Sequence, residues 1–472
     1  MQSNQFPRTR VAAAVAGLAL ALGAGQSIGA GFQINENSGS SIGSANAAGA
    51  AFTDDVSAMW WNPAALSQFT RMQGAGALNI ITPSIKFSNG ASLPAANQPL
   101  GNNGGDAGGY NYVPNMYFVL PINAQWTFGL GVNAPFGLTT EYDDGWLGRY
   151  QGLKSQIKTI NVNPAFSWKA TPQFSVGVGV NYMDLSATLT QNANYSAVYA
   201  AVAAGAAAAG QIPAALVPQI IGATSGLDSK ATIKGDDGGW GWNIGFAWDA
   251  TPQLRLAAAY RSETKFDVKA NSDFNNPSPA PPAGTPAVVV GAIALLRPSV
   301  DAQLQGKGLT SDITLPQIAN FSMLYRVNSQ WEVMADAQYT GWSSVPELRF
   351  VPTNGSPSSA IPLNWDDSWK ISAGASYRYN DQWKARFGVA FDQTPVTNDP
   401  SVRLPDSDRW WLATGAEYKY SPNLKFDAGF VYIFADSPNF DQNKGSTASF
   451  GLVNGRFDAS VWILSMQGTY TF

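Results

Sequence analysis

The chain has 472 residues, of which only 13% are charged against about 25% in ordinary soluble domains, while 16 are Trp, 17 Tyr and 24 Phe. It contains no cysteine and no histidine, so disulfide frames, thiolate chemistry, Ser-His-Asp triads and histidine metal sites are excluded. A formal net charge of −4 with no basic tract gives a nucleic-acid partner no electrostatic footing.

Residues 1–29 have the parts of a secretory signal peptide. Arg8 and Arg10 precede the apolar stretch VAAAVAGLALALGAG (11–25), and Ser27 and Gly29 suit the positions before a cleavage site. Cleavage is expected after Gly29, give or take one residue. The apolar stretch is too short and too rich in small residues to cross ~30 Å of hydrocarbon comfortably. After residue 29 no run of about 18 apolar residues occurs, which excludes ordinary spanning helices.

Residues 30–70 are rich in Gly, Ala, Ser and Asn, yet they carry Met59, Trp60 and Trp61, which are costly to leave in water. Asn62-Pro63 follows at once and interrupts any regular element. What this segment packs against depends on the rest of the chain.

From residue 71 onward one short pattern recurs: an apolar residue, a polar turn, Gln or Asn, then another apolar residue. It appears as LPINAQW (120–126), WKATPQF (168–174), WDATPQL (248–254), YRVNSQW (325–331), YRYNDQW (377–383) and YKYSPNL (418–424). Segments of period two flank each copy, so each reads as a hairpin turn. Trp242, Ile244, Phe246 and Trp248 share one face, and Leu254, Leu256, Ala258 and Tyr260 share the next. Trp383, Ala385, Phe387, Val389 and Phe391 alternate with Lys384, Arg386, Gly388 and Ala390.

The alternating segments are about ten residues long, and Tyr and Trp crowd their ends beside the short turns. The opposite connections are much longer, near 89–110, 141–155, 189–234, 267–312, 343–365, 393–408 and 435–456. Six short turns alternating with seven long loops give fourteen strands. An antiparallel sheet with one apolar face must close in hydrocarbon, because an open edge leaves backbone groups unpaired. The expected fold is all-β: a 14-stranded antiparallel transmembrane β-barrel with an N-terminal plug, or hatch, inside the lumen. The domains are then 1–29 signal peptide, 30–70 hatch and 71–472 barrel. A lumen of this width needs filling, and the tryptophans of the hatch are expected to bury against its wall.

Within the barrel, the third strand (127–140, TFGLGVNAPFGLTT) holds Pro135 among three glycines, which suits a kink or bulge. The loops at 189–234 and 267–312 contain AVYAAVAAGAAAAGQIPAALVPQII (197–221) and PAVVVGAIALL (286–296). Exposed apolar surface of that size marks a binding surface, unless the two segments simply pack on each other. In WEVMADAQYT, Glu332, Asp336 and Gln338 alternate towards the lumen, and Lys370, Lys384 and Arg386 point inward by the same parity. In PELRF, parity sends Leu348 and Phe350 to lipid and Glu347 and Arg349 inward. Arg349 is a candidate to grip a carboxylate, unless Glu347 neutralises it. The terminal Phe472, on an alternating strand, resembles the sorting signal read by the outer-membrane assembly machinery.

Three stretches resemble the FadL family of outer-membrane hydrophobe transporters. They are AGFQINENSGSSIGSANAAGAAFTDDVSAMWWNPAAL at the mature start, NAPFGLTTEYDDGWLGRY (133–150) and RFGVAFDQTPVTNDPSVRLPDSDRWWLATG (386–415). The resemblance spans essentially the whole mature chain. It implies a passive, ATP-free importer of long-chain fatty acids or similar hydrophobes in the bacterial outer membrane. The ligand lands on a groove between loops and moves to a pocket touching the hatch. It leaves through a wall opening at the kinked third strand after the hatch shifts. The resemblance also implies binding or gating roles for Phe32, Trp60, Trp61, Asn62, Pro63, Ala64, Pro135 and Phe136. It makes Asp54 and Asp55 hatch residues rather than a catalytic carboxylate pair. No cofactor, metal or catalytic residue is expected; the partners are a hydrophobic small molecule and outer-membrane lipid, and the chain is expected to be a monomer. Uptake of neutral aromatic or alkane hydrocarbons is the alternative. An open aqueous porin conflicts with the hatch. An outer-membrane hydrolase or acyltransferase would lack its histidine, and an adhesive barrel would need no apolar pocket.

Overall fold

The computed structural model describes residues 31–396, 400–437, 439–442 and 447–472. The expected signal peptide and its cleavage site lie outside these residues. The wall opens with β1 (Gln73–Asn89) and β2 (Asn111–Pro121). β3 is broken into Trp126–Asn133 and Gly137–Glu141. β4 (Lys154–Lys169), β5 (Phe174–Asn194) and β6 (Asp228–Asp249) are continuous. β7 (Leu254–Arg261 and Thr264–Asn275) and β8 (Gly308–Leu315 and Ile318–Arg326) each run in two pieces. So do β9 (Trp331–Thr340 and Glu347–Pro352) and β10 (Ser359–Pro362 and Ser368–Arg378). β11 (Trp383–Asp392), β12 (Arg409–Lys419), β13 (Leu424–Ala435 and Asn439–Gln442) and β14 (Val453–Thr471) complete the set.

Every sequential pair is antiparallel, and β14 pairs back onto β1 from Gln73↔Thr471 to Asn89↔Gly455. The sheet is therefore a closed barrel of fourteen strands, and no edge is left to hydrocarbon. The six short turns share one device. Asn123, Asn328 and Asn380 accept, through the side-chain oxygen, the backbone N–H groups two and three residues on. Thr171, Thr251 and Ser421 do the same with a hydroxyl. The repeated polar residue fixes each turn by mimicking a backbone acceptor.

Aromatic side chains ring the outside at two levels. Trp240 and Trp248, Tyr182 and Phe174, Trp331 and Tyr339, Trp383 and Phe391, Phe426 and Phe434, and Trp462 and Tyr470 each stand eight residues apart on one strand. Eight residues at about 3.3 Å, on strands tilted by about 40°, span roughly 20 Å, close to the apolar band of an outer-membrane barrel.

Residues 31–69 fill the lumen and are almost all buried. They include two single-turn helices, α1 (Gly39–Ile42) and α2 (Ala58–Trp61). Three longer helices lie in the long loops: α3 (Tyr195–Ala208), α4 (Val217–Ala223) and α5 (Ala287–Asp301). Their apolar faces pack together through Tyr199, Ala203, Ile220, Val289, Ile293 and Leu296. Val288, Val290 and Leu295 remain exposed. The loop segments thus do both things their composition allowed: they pack on each other, and they leave an apolar rim.

Candidate functional site

The plug is held at several places by different chemistry. Trp61 buries with Val56, Met59 and Leu66 against the inward wall residues Ala75, Tyr117, Val119 and Ala165. The Asn62 side-chain oxygen caps the following 3₁₀ turn through the Ala64 N–H at 2.8 Å, with Pro63 as its first residue. The Asn62 amide donates to the Ala50 carbonyl at 2.9 Å and to the Phe246 carbonyl of β6 at 3.0 Å. The Asn-Pro pair therefore turns the chain and docks it to the wall. Above it, the Arg261 guanidinium lies 4.1 Å from the Trp60 ring centre and donates to the Trp60 carbonyl at 3.0 Å.

On the opposite wall, Asp54 accepts from Lys384 and Arg386, each at 2.9 Å. Arg386 also binds Glu417 at 3.0 Å and Asp427 at 2.7 Å. Burial resists ionisation of Asp54, but Lys384, Arg386 and Lys425 outweigh it and hold its carboxyl well below the usual carboxylate range. Asp55 lies 3.7 Å from Lys425. The two aspartates anchor the plug; they do not face one another across a substrate space. Lys370, Lys384 and Arg386 point into the lumen, as parity required.

The start of the plug meets β3. That strand breaks at Ala134–Phe136, and its ladder with β2 ends at Met116↔Val132. At the break the backbone turns to the plug instead: Ile34 N–H donates to the Pro135 carbonyl at 2.8 Å and Gly137 N–H to the Phe32 carbonyl at 2.9 Å. Gln33 thereby forms an antiparallel bridge with Phe136. A small cavity lined by Val113, Pro114, Val132, Asn133 and Ala134 sits where the β2–β3 ladder is missing. Gly31 N–H is held by the Asp406 carboxylate at 2.9 Å.

Phe32 joins Phe136, Trp342 and Trp365 in an aromatic cluster, with ring centres 4.9–6.0 Å from its own. It also forms the floor of an inner pocket whose walls are Leu138, Ile157, Leu185, Leu315, Leu348 and Leu363. Beyond it lies a larger cavity of about 700 Å³ among the loops. The two share Leu189, Ile361, Ser401 and Arg403. Arg403 is buried, donates to Ser155 at 3.1 Å and Gln191 at 2.6 Å, and has no carboxylate partner among the described residues. Its Nε has no hydrogen-bond partner among the described residues. Burial draws the guanidinium down to about 10, with Tyr142 offsetting part of the effect, so it stays charged at neutral pH.

Arg349 stands elsewhere. Its side chain is half exposed, pairs with Glu347 at 2.5 Å, donates to Ser358 at 3.2 Å and lines neither cavity. Leu348 faces the inner pocket and Phe350 the outer cavity, the reverse of the expected parity. The strand keeps its phase, with even positions inward in both pieces of β9, but the interior changes from a polar lumen beside Asp336 and Gln338 to an apolar pocket beside Leu348 and Phe350. Arg403 lies in an irregular loop, where alternation carries no signal. Its unbalanced position could be found only once the pocket had formed. Among the described residues no cluster of three metal-ligating acidic side chains occurs. The arrangement can take up a long apolar body with one anionic end.

A family model described as outer membrane protein transport protein (OMPP1/FadL/TodX) matches residues 20–472. The chain is 30% identical over 493 residues to the long-chain fatty acid transport protein of Escherichia coli, with both chains covered in full. It is 28% identical over 446 residues to outer membrane protein P1 of Haemophilus influenzae, covering 90% of each. Among solved structures, a Pseudomonas aeruginosa FadL homologue superposes with a TM-score of 0.80 at 26% identity, covering 94% of this chain and all of the other. The Ralstonia pickettii toluene transporter TbuX shares the fold at 21% identity and a TM-score of 0.60, over 91% of this chain and 98% of its own.

Proposed function

The chain belongs to the outer-membrane transport protein family of OMPP1, FadL and TodX, and from that membership we propose that it imports long-chain fatty acids by passive diffusion. The ligand enters over the apolar rim of α3 and α5 and collects in the outer cavity. It then slides its chain into the inner pocket until it touches Phe32. A shift of Phe32–Ile34 loosens the bridge to Phe136, and the ligand leaves sideways between β2 and β3. The observation that carries the reading is Arg403, a buried cation that has no carboxylate partner among the described residues and stands on the wall common to both cavities. A neutral hydrocarbon gives such a group nothing; a carboxylate satisfies it as a charge-assisted pair. The rest of the inner pocket is apolar and suits the alkyl tail.

Equilibrium binding of a long-chain fatty acid and of an alkane of equal length, in detergent, tests this. The acid is expected to bind more tightly, and Arg403→Ala to weaken it by about tenfold or more while leaving the alkane unchanged. Arg349→Ala is expected to change neither. Equal binding of both ligands, insensitive to Arg403, would move the function to hydrocarbon uptake.

A further inference from the structure

β5 and β6 run on for twelve residues past the girdle residues Tyr182 and Trp240, and β7 and β8 accompany them. Below that level the outward faces of β5 and β6 are apolar, with Val176, Val178 and Val180 beside Trp242, Ile244 and Phe246. Above it the outward face changes character within one or two positions. Lys234, Asp236, Asp267, Lys269 and Asp312 are all exposed there. Asp236 stands directly across the ladder from Lys269, and Asp267 directly across from Asp312. None of these five side chains makes an ion pair among the described residues. Two aspartates opposed on one face repel each other unless a cation lies between them.

This face looks outward into the membrane at the height where headgroups lie, so its occupant is a lipid of the outer leaflet. The outer leaflet of a bacterial outer membrane is a phosphorylated glycolipid held together by divalent cations. We propose that the extended face of β5–β8 is a binding site for that glycolipid's phosphates: Lys234 and Lys269 take phosphate oxygens, and Asp267 with Asp312 holds a divalent cation that bridges to them. Two carboxylates leave the remaining coordination of such a cation to phosphate and water, as hard divalent ions require. Lysines beside an apolar surface bury their stems in the acyl layer and raise their charge to the headgroups. The site would seat the wall that carries α3 and α5, so the mouth of the transporter stands clear of the charged headgroup layer.

The test is retention of diphosphoryl lipid A, with magnesium, by the purified barrel in native mass spectrometry. Lys234→Glu with Lys269→Glu is expected to weaken retention by about tenfold or more. Asp267→Asn with Asp312→Asn is expected to make retention indifferent to EDTA, which should weaken it in the unaltered protein. Dephosphorylated lipid A should not compete. Both variants should bind fatty acid normally, which shows that the barrel is intact. Undiminished retention in the lysine variant, or equal retention of dephosphorylated lipid A, would overturn the proposal.

Discussion

Glu36 brings a carboxyl into the lumen where no cation among the described residues reaches it at hydrogen-bond distance. Its backbone carbonyl is held by Asn79 at 2.8 Å and Asn115 at 3.1 Å, while its Oε2 is buried without a partner. Burial pushes the carboxyl up to about 7, with Lys370 offsetting only part of the effect. A carboxyl whose value is raised on folding favours the folded plug most below its unfolded value, near 4.5. That contribution is lost as pH rises through about 7, and over the whole window it amounts to roughly 3 kcal/mol. Hydrogen exchange of residues 31–50 should therefore be slower at pH 5 than at pH 8. Glu36→Gln should flatten the difference, and exchange with no pH dependence beyond the intrinsic chemistry would refute this role. Asp54 behaves oppositely, because its charge is matched by Lys384 and Arg386. Two carboxylates of one plug thus differ by their partners alone. Sequence parity identified Lys384 and Arg386 as inward but not which plug residue they meet, because that pairing joins positions 330 and 332 residues apart.

At the scale of elements, the plug docks where the wall has no side chains. Gly177 on β5 and Gly245 on β6 face Asn62–Ala64, and a Cβ on Gly177 would stand 2.2 Å from the Ala64 nitrogen. Close backbone approach is what a glycine inside a strand permits. Gly245→Ala is expected to push Asn62 off its bond to Phe246 and expose the plug, seen as faster protease cleavage between residues 50 and 68, while the barrel keeps its heat resistance on a gel. Unchanged cleavage would mean that the plug is held elsewhere. These inward glycines were present in the alternation, but glycine has no polarity and period two passes over it. The strands themselves were legible because lipid on one side and a polar lumen on the other force strict alternation. The kink in β3 was legible for the same reason, since Pro135 cannot serve a ladder. Alternation misled at Glu347–Phe350, where the strand keeps its phase but its inward face turns apolar because it lines the pocket.

For the whole molecule, closure settles most of the architecture. Six turns with one hydrogen-bonding device, and girdles eight residues apart, fix the strand number and the position in the membrane. The lumen is then closed by a segment with little regular structure, whose place no periodicity could give. Its first residues pair with the broken strand, and Phe32 among them also lines the inner pocket. Gln33 and Phe136 occupy a non-hydrogen-bonded antiparallel position. Their Cα atoms are therefore about 4.5 Å apart, within disulfide range, and the native chain has no cysteine to interfere. The direct measurement is uptake of a labelled long-chain fatty acid by cells whose only such transporter carries Gln33→Cys and Phe136→Cys, before and after reduction. Uptake blocked in the oxidised protein and restored by reductant is the expected result. Equal uptake in both states would contradict a route that passes the plug and leaves at β3.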